Sequence, residues 1–212
     1  MGTPVHRPTS AAALVLASAS PRRLALLQQI GIEPDSVAAP AVDARARAGE
    51  PPLALARRLA VAKARTVAER HPGCFVLAAD TVVALGRRVL PKAEDATQAA
   101  ACLALLSGRR HRVIGAIALV APDGRLVLRV VDTRVAFKRL SPAEIESYIA
   151  SGEWRGKAGG YAIQGRAAAY VRWINGSYSN VVGLALFETA QLLVGAGAMV
   201  AGLKSAPSDA DV

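Results

Sequence analysis

Residues 14–19, Leu-Val-Leu-Ala-Ser-Ala, form an apolar run without helical spacing and read as a buried strand. The next apolar positions, Leu24, Leu26, Leu27 and Ile30, recur at helical spacing and stop at Gly31. That pattern predicts a helix over 21–30, with Ser20 as N-cap and Pro21 as its first residue. Residues 39–52 read as a loop. A second helix is predicted over 53–69, with Leu55, Leu59, Ala62 and Thr66 on one face. Residues 75–79 form a short apolar strand that ends at Asp80, and 82–90 read as a hairpin around Gly86. A helix over 94–106 stops at Gly108. Strands over 113–120 and 126–137 are joined by Pro122-Asp123-Gly124. A helix at 141–150, a glycine-rich irregular stretch at 152–165, a strand at 167–174 closed by Asn175-Gly176, and a helix at 184–194 complete the pattern. Strands alternate with helices while two neighbouring pairs look antiparallel, so the fold class is α/β with a mixed sheet. Residues 13–203 read as one domain, with flexible ends at 1–12 and 204–212.

Charge complicates the first helix. Arg22 and Arg23 fall in its first turn, at the positive end of the helix dipole, where acidic residues are favoured. Ser141-Pro142-Ala143-Glu144 has the same Ser-Pro opening but carries the glutamate that a capping box requires. The arginines are either a tolerated surface pair or part of an anion site, since a strand–turn–helix junction already aims backbone N–H groups at a phosphate.

The formal charge is +10, which invites a nucleic-acid reading. Against it, the basic residues are spread along the chain and aromatics that could stack on bases make up only 4%. A small anionic ligand fits better than a polynucleotide. Only five of the 26 basic residues are lysine, so Lys63, Lys92 and Lys157 stand out from the arginine excess. Cys74 and Cys102 match no metal-ligand spacing and read as small core residues in a reducing cytoplasm. The histidines at 6, 71 and 111 form no cluster. His6, Arg7 and the alanine-rich run that follows imitate a signal peptide, but cleavage there would remove the strand before Ser20. The apolar stretch 189–203 is too short to span a bilayer and reads as a packing helix.

Asp80, at the end of its strand, is either a functional carboxylate at the mouth of a sheet or an Asx turn. Lys63 and Lys92 each have a snorkelling surface reading as well. Gly156-Lys157-Ala158-Gly159-Gly160 only loosely resembles a phosphate loop and lacks Walker spacing.

Four segments in order resemble one family, the Maf nucleotide pyrophosphatases. They are Leu16-Ala17-Ser18-Ala19-Ser20-Pro21-Arg22-Arg23, Ala78-Ala79-Asp80-Thr81, residues 157–165 (Lys-Ala-Gly-Gly-Tyr-Ala-Ile-Gln-Gly) and residues 174–184 (Ile-Asn-Gly-Ser-Tyr-Ser-Asn-Val-Val-Gly-Leu). The resemblance implies a fold like that of inosine-triphosphate pyrophosphatases, an elongated mixed sheet with flanking helices and a cleft between two lobes. It implies hydrolysis of a nucleoside triphosphate to monophosphate and pyrophosphate with a divalent metal, magnesium or manganese. Arg22, Thr81 and Gln164 are similar to the dTTP/UTP-preferring branch, so dTTP, UTP and modified pyrimidine nucleotides are the implied substrates. Asp80 would activate water and hold the metal, and Ser20, Arg22, Arg23, Lys63, Thr81, Lys92 and Gln164 would bind substrate. Arg23 would clamp phosphate, and Arg22 would also bear on substrate choice. No membrane or polynucleotide partner is implied, the cytoplasm is the expected location, and a homodimer stays open. The chain departs from the family pattern at Asp43-Ala44, where an acidic pair is usual, at Pro91-Lys92-Ala93, and at Gly156, where an aspartate usually precedes the lysine. Two missing carboxylates leave an alternative, a nucleotide-binding regulatory protein with weakened catalysis.

Overall fold

The structure is a computed structural model that describes residues 12–198; the two terminal stretches expected to be flexible, 1–12 and 204–212, lie almost wholly outside it. The chain runs β1 (Leu14–Ala17), α1 (Pro21–Gln29), β2 (Ser36–Val37), α2 (Pro52–Ala68), β3 (Phe75–Leu85), β4 (Arg88–Leu90), α3 (Ala96–Leu106), β5 (Arg110–Val120), β6 (Leu126–Phe137), α4 (Pro142–Ala150), β7 (Val171–Asn175), α5 (Tyr178–Val182) and α6 (Leu186–Gly195). The seven strands form one sheet in the order β2-β1-β3-β5-β6-β7, with β4 beside β3. β1 lies parallel to β2 and β3, and every other pairing is antiparallel. This is the expected mixed α/β sheet with flanking helices.

Helix ends follow local chemistry. α4 carries the full capping box of Ser141 and Glu144, and Asp95 caps α3 by accepting from the Gln98 amide at 2.7 Å. Ser20 occupies the N-cap position of α1 as expected, but its side chain makes no capping bond. The first turn of α1 is thus left with neither an acidic side chain nor a cap.

Three expectations change. β3 does not end at Asp80 but continues through it to Leu85. The polar pair Asp80-Thr81 interrupts the apolar run and so mimics a strand end. Residues 166–170 form a 3₁₀ turn rather than strand, and β7 starts only at Val171. The last helix is preceded by a separate five-residue helix, α5, capped by Ser177 through the Asn180 amide.

Successive side chains of a strand face opposite sides of its sheet. Val76, Ala78 and Val82 of β3 and Ile114, Ala116 and Ala118 of β5 therefore share one face, where Ala56, Ala60 and Ala64 let α2 lie close. Leu77 and Ala79 of β3 and Ile117 and Leu119 of β5 face the other way, onto α1 and α6. A third apolar cluster fills the far end between the sheet, α3 and α4, around Leu103, Val113, Phe137 and Tyr148. Cys102 belongs to it, as expected of a small core residue. Leu14–Ala17 is buried between two strands, so the signal-like alanine run ends in the core sheet.

His111 is buried in this far cluster. Its Nε2 lies 2.7 Å from the Tyr161 hydroxyl, and its Nδ1 has no hydrogen-bond partner. Burial pushes its pKa from 6.5 down to about 4. The unfolded chain therefore binds a proton near pH 6.5 that the folded chain refuses until about 4. Stability is full above that window and falls as pH drops through it, by up to about 3 kcal/mol. Urea midpoints at pH 7.5, 6 and 5 are expected to show this slope and to lose most of it in His111→Gln. An equal slope in the variant would place the acid sensitivity elsewhere.

Candidate active site

Strand pairing leaves a gap beside the middle of β3. β1 pairs with Phe75 to Ala78, and β4 pairs with Val83 to Leu85. Between those stretches, residues 79–82 have no strand neighbour on that side. A cleft of about 540 Å³ opens here, bounded by the β1–α1 turn, α2, the chain after β4, residues 155–164 and the end of α5. Sheets commonly present ligands at such a switch point, where strand order diverges.

Strand alternation then divides two adjacent residues. Asp80 shares its face with Val76, Ala78 and Val82, toward α2, and Lys63 of that helix forms an ion pair with its Oδ1. Asp80 is buried and Lys63 partly so. Asp80 Oδ2 makes no hydrogen bond within the described residues. Thr81 faces the opposite way, toward α1 and the turn after α5, and its hydroxyl donates to the Gly183 carbonyl at 3.3 Å.

Arg23, buried in the first turn of α1, ties these walls together. Its Nε donates to Gly183 O at 2.9 Å, its Nη1 to Ser18 Oγ at 3.4 Å and its Nη2 to Thr81 Oγ1 at 3.3 Å. Burial lowers its pKa, and nearby Asp80 opposes that shift. Arg22 uses only its Nε on the protein, donating to Val182 O at 3.3 Å, so both terminal nitrogens remain unspent. The unusual first turn is thus satisfied in two ways. Arg23 is held by distant carbonyl and hydroxyl oxygens, while Arg22 stays available to the cleft.

Every residue the sequence singles out for the site lines this one cleft: Ser20, Arg22, Arg23, Lys63, Asp80, Thr81, Lys92 and Gln164. Lys92 reaches it with no carboxylate partner among the described residues. Desolvation lowers its pKa first, and repulsion from Lys63 adds to the shift. The amide of Gln164 is exposed and makes no hydrogen bond within the described residues. Sequence reasoning left out Ser18, Arg155, Lys157 and Gly183 as site residues, although they line the cleft too. Lys157 had a signal in the scarcity of lysine. Gly183 had none, because it contributes a backbone carbonyl.

Asp43 does not line the cleft. It is exposed and bonds Arg45, which holds its pKa down at about 2, while Ala44 faces the cleft instead. Among the described residues Asp80 is thus the one carboxylate on the cleft wall, and they contain no group of three potential metal ligands. Magnesium is commonly held by one or two carboxylates, with substrate phosphates and water completing its shell. The unpartnered Asp80 Oδ2 fits a cation bound in that way.

The Maf-like protein profile matches residues 13–196. The chain belongs to the Maf-like protein family. Among its relatives, a dTTP/UTP pyrophosphatase of Paramagnetospirillum magneticum is 69% identical over 186 residues, covering 88% of this chain and 98% of that protein. A dTTP/UTP pyrophosphatase of Rhodospirillum rubrum is 64% identical, covering 92% of each. A solved nucleoside-triphosphatase / dITP/XTP pyrophosphatase from Mycobacterium abscessus aligns at a TM-score of 0.39 and 22% identity, over 60% of this chain and 73% of that one. In this Maf-like chain no helix among the described residues is long and apolar enough to cross a membrane.

Proposed function

We propose that this Maf-like chain is a nucleoside triphosphate pyrophosphatase that hydrolyses dTTP and UTP, and modified pyrimidine nucleotides, to the monophosphate and pyrophosphate. One observation carries the reading. Among the described residues a single carboxylate, Asp80, lies in a cleft whose remaining charged side chains are all cations, several of them without a carboxylate partner. Such a wall suits a polyanion and places one proton acceptor within it. The names of the relatives supply the substrate class.

In this reading water attacks the α-phosphorus. The new P–O bond forms as the bond from the α-phosphorus to the α–β bridging oxygen breaks, and pyrophosphate leaves with that oxygen. Asp80 takes the proton of the attacking water, and Lys63 fixes its Oδ1. Arg22 and Lys92 hold phosphate oxygens. Arg23 positions Thr81 and the Gly183 turn, and the Gln164 amide, able to donate and accept, meets the pyrimidine edge. A divalent cation, magnesium or manganese, held by Asp80 and phosphate oxygens would supply further charge neutralisation. The enzyme would act on the cytoplasmic nucleotide pool, where its two free cysteines stay reduced.

A panel of triphosphates with pyrophosphate detection tests the proposal. Release from dTTP and UTP supports it. Silence across the panel, with nucleotide-dependent thermal stabilisation, would leave a binding protein instead. Within the panel, Arg22→Ala is expected to lower the ratio of kcat/KM for dTTP to that for a purine triphosphate by roughly tenfold, as well as the rate. A uniform fall across all substrates would confine Arg22 to phosphate binding.

A further inference from the structure

We propose that Arg155 and Lys157, which line the cleft together with Arg22, form a subsite for the departing pyrophosphate, which binds free pyrophosphate without any nucleoside attached. The proposal rests on the cleft being a triphosphate site and names the part of it that holds the leaving group.

The cleft cations are not equivalent. Lys63 is matched by Asp80, and all three guanidinium nitrogens of Arg23 already donate to protein oxygens. Arg155 and Lys157 have no ion-pair partner among the described residues. The Arg155 guanidinium lies over the Trp154 ring at 5.0 Å, and the Lys157 ammonium rests on the Arg155 carbonyl at 3.0 Å. Glu153, the carboxylate that bears on Lys157, is engaged by the Arg166 amide at 2.8 Å. Desolvation lowers the Lys157 pKa, repulsion from Arg22 adds to the shift and Glu153 opposes it. Lys157 and Arg22 line one cleft and neither forms an ion pair among the described residues, which leaves their wall open to an anion.

The segment that carries them is built to stay in position. Lys92 and Ala158 form a β-bridge, and the Gly159 amide donates to the Pro91 carbonyl at 3.0 Å. The Lys157 amide donates to Trp154 O and the Gly160 amide to Lys157 O, each at 3.1 Å. Gly156, Gly159 and Gly160 hold φ near +70°, which side-chain-bearing residues rarely adopt. The bridge therefore fixes Lys157 relative to Lys92.

Charge then orients the substrate. In the proposed reaction the α-phosphorus lies beside Asp80, which takes the proton of the attacking water. The β- and γ-phosphates carry most of the charge and gain more as the bond breaks. In this proposal they lie against Lys157 and Arg155, which meet the growing charge of the leaving group.

Calorimetric titration of pyrophosphate and of dTMP, separately and in EDTA, into wild type and Lys157→Met tests this. Pyrophosphate affinity is expected to fall about tenfold while dTMP affinity stays within twofold, and Lys157→Arg is expected to retain pyrophosphate binding. The inhibition constant of pyrophosphate against dTTP hydrolysis should rise by the same factor. Unchanged pyrophosphate affinity, or an equal loss for both ligands, overturns the subsite. If no triphosphate is hydrolysed yet pyrophosphate binds in a Lys157-dependent way, the activity falls and the subsite stands. Turnover with an inhibition constant indifferent to Lys157→Met does the reverse.

Discussion

Asp80→Asn stops pyrophosphate release from dTTP, by about 10² to 10⁴-fold in kcat, and does not weaken dTTP binding measured in EDTA. The two halves of this expectation have one origin. Among the described residues Asp80 is the only carboxylate on the cleft wall, so in the proposed reaction replacing it removes the proton acceptor and also the one group there that repels phosphate. The amide preserves the shape, so a loss of rate reports chemistry rather than packing. The variant also leaves Lys63 buried beside a neutral partner. Breaking such a pair is costly, so its melting temperature should fall without ligand and recover with dTTP, whose charge replaces the lost one. Steady-state pyrophosphate release, calorimetric titration and thermal melts check the three parts. A variant that keeps its rate would move the proton acceptor elsewhere. One that binds dTTP tenfold more weakly in EDTA would mean that Asp80 contacts the substrate directly rather than repelling it.

Gly115→Ala should be the most damaging single-methyl change in the described chain. Gly115 lies opposite Thr81 in the sheet, and a methyl there would stand 1.8 Å from Asn180 Oδ1. Asn180 cannot give way without loss, because its buried amide donates to Val113 O at 3.0 Å, Val131 O at 3.3 Å and Thr133 Oγ1 at 3.0 Å. Overpacking and the stranded polar atoms together should cost roughly 3–5 kcal/mol, a large part of an ordinary domain's stability. The damage reaches the cleft, because displacing α5 moves the Val182 and Gly183 carbonyls that hold Arg22 and Arg23. Asn180→Ala should also destabilise the wild type, but in the Gly115→Ala background it should recover part of the loss, a non-additivity that urea denaturation of the four proteins measures. Strict additivity would show that the methyl and the amide do not meet.

The elements with clean apolar periods were legible in the sequence. α1, α2, α3 and α4 lie within a residue or two of their expected positions, and β5 and β6 pair as the Pro122-Asp123-Gly124 turn suggests. What misled was polarity inside an element. Asp80-Thr81 reads as the end of a strand because neither residue suits a core, and only a lysine 17 residues earlier in the chain makes that burial tolerable. Likewise the first turn of α1 looks wrong in isolation. The oxygens that accept from Arg22 and Arg23 at Val182 and Gly183 are 160 residues away and belong to the backbone, so no side-chain pattern announces them. β2 and α5, with two and five residues, are shorter than any period can reveal. The site was legible as a set of residue types, but the division of labour among its cations was not, because that depends on which ones the protein has already paired.

β3 and β5 each contribute to all three apolar clusters, Val83 and Val113 to one end and Leu77, Val76, Ile117 and Ile114 to the others. The material on either side of the cleft therefore hangs from a shared, doubly paired beam rather than from a joint. Flexing that beam at Asp80 would shear the ladder that runs from Val76 to Ala84. Neither side is an autonomous folding unit, so a chain cut between β4 and α3 would leave two fragments that each lack half of the sheet they need.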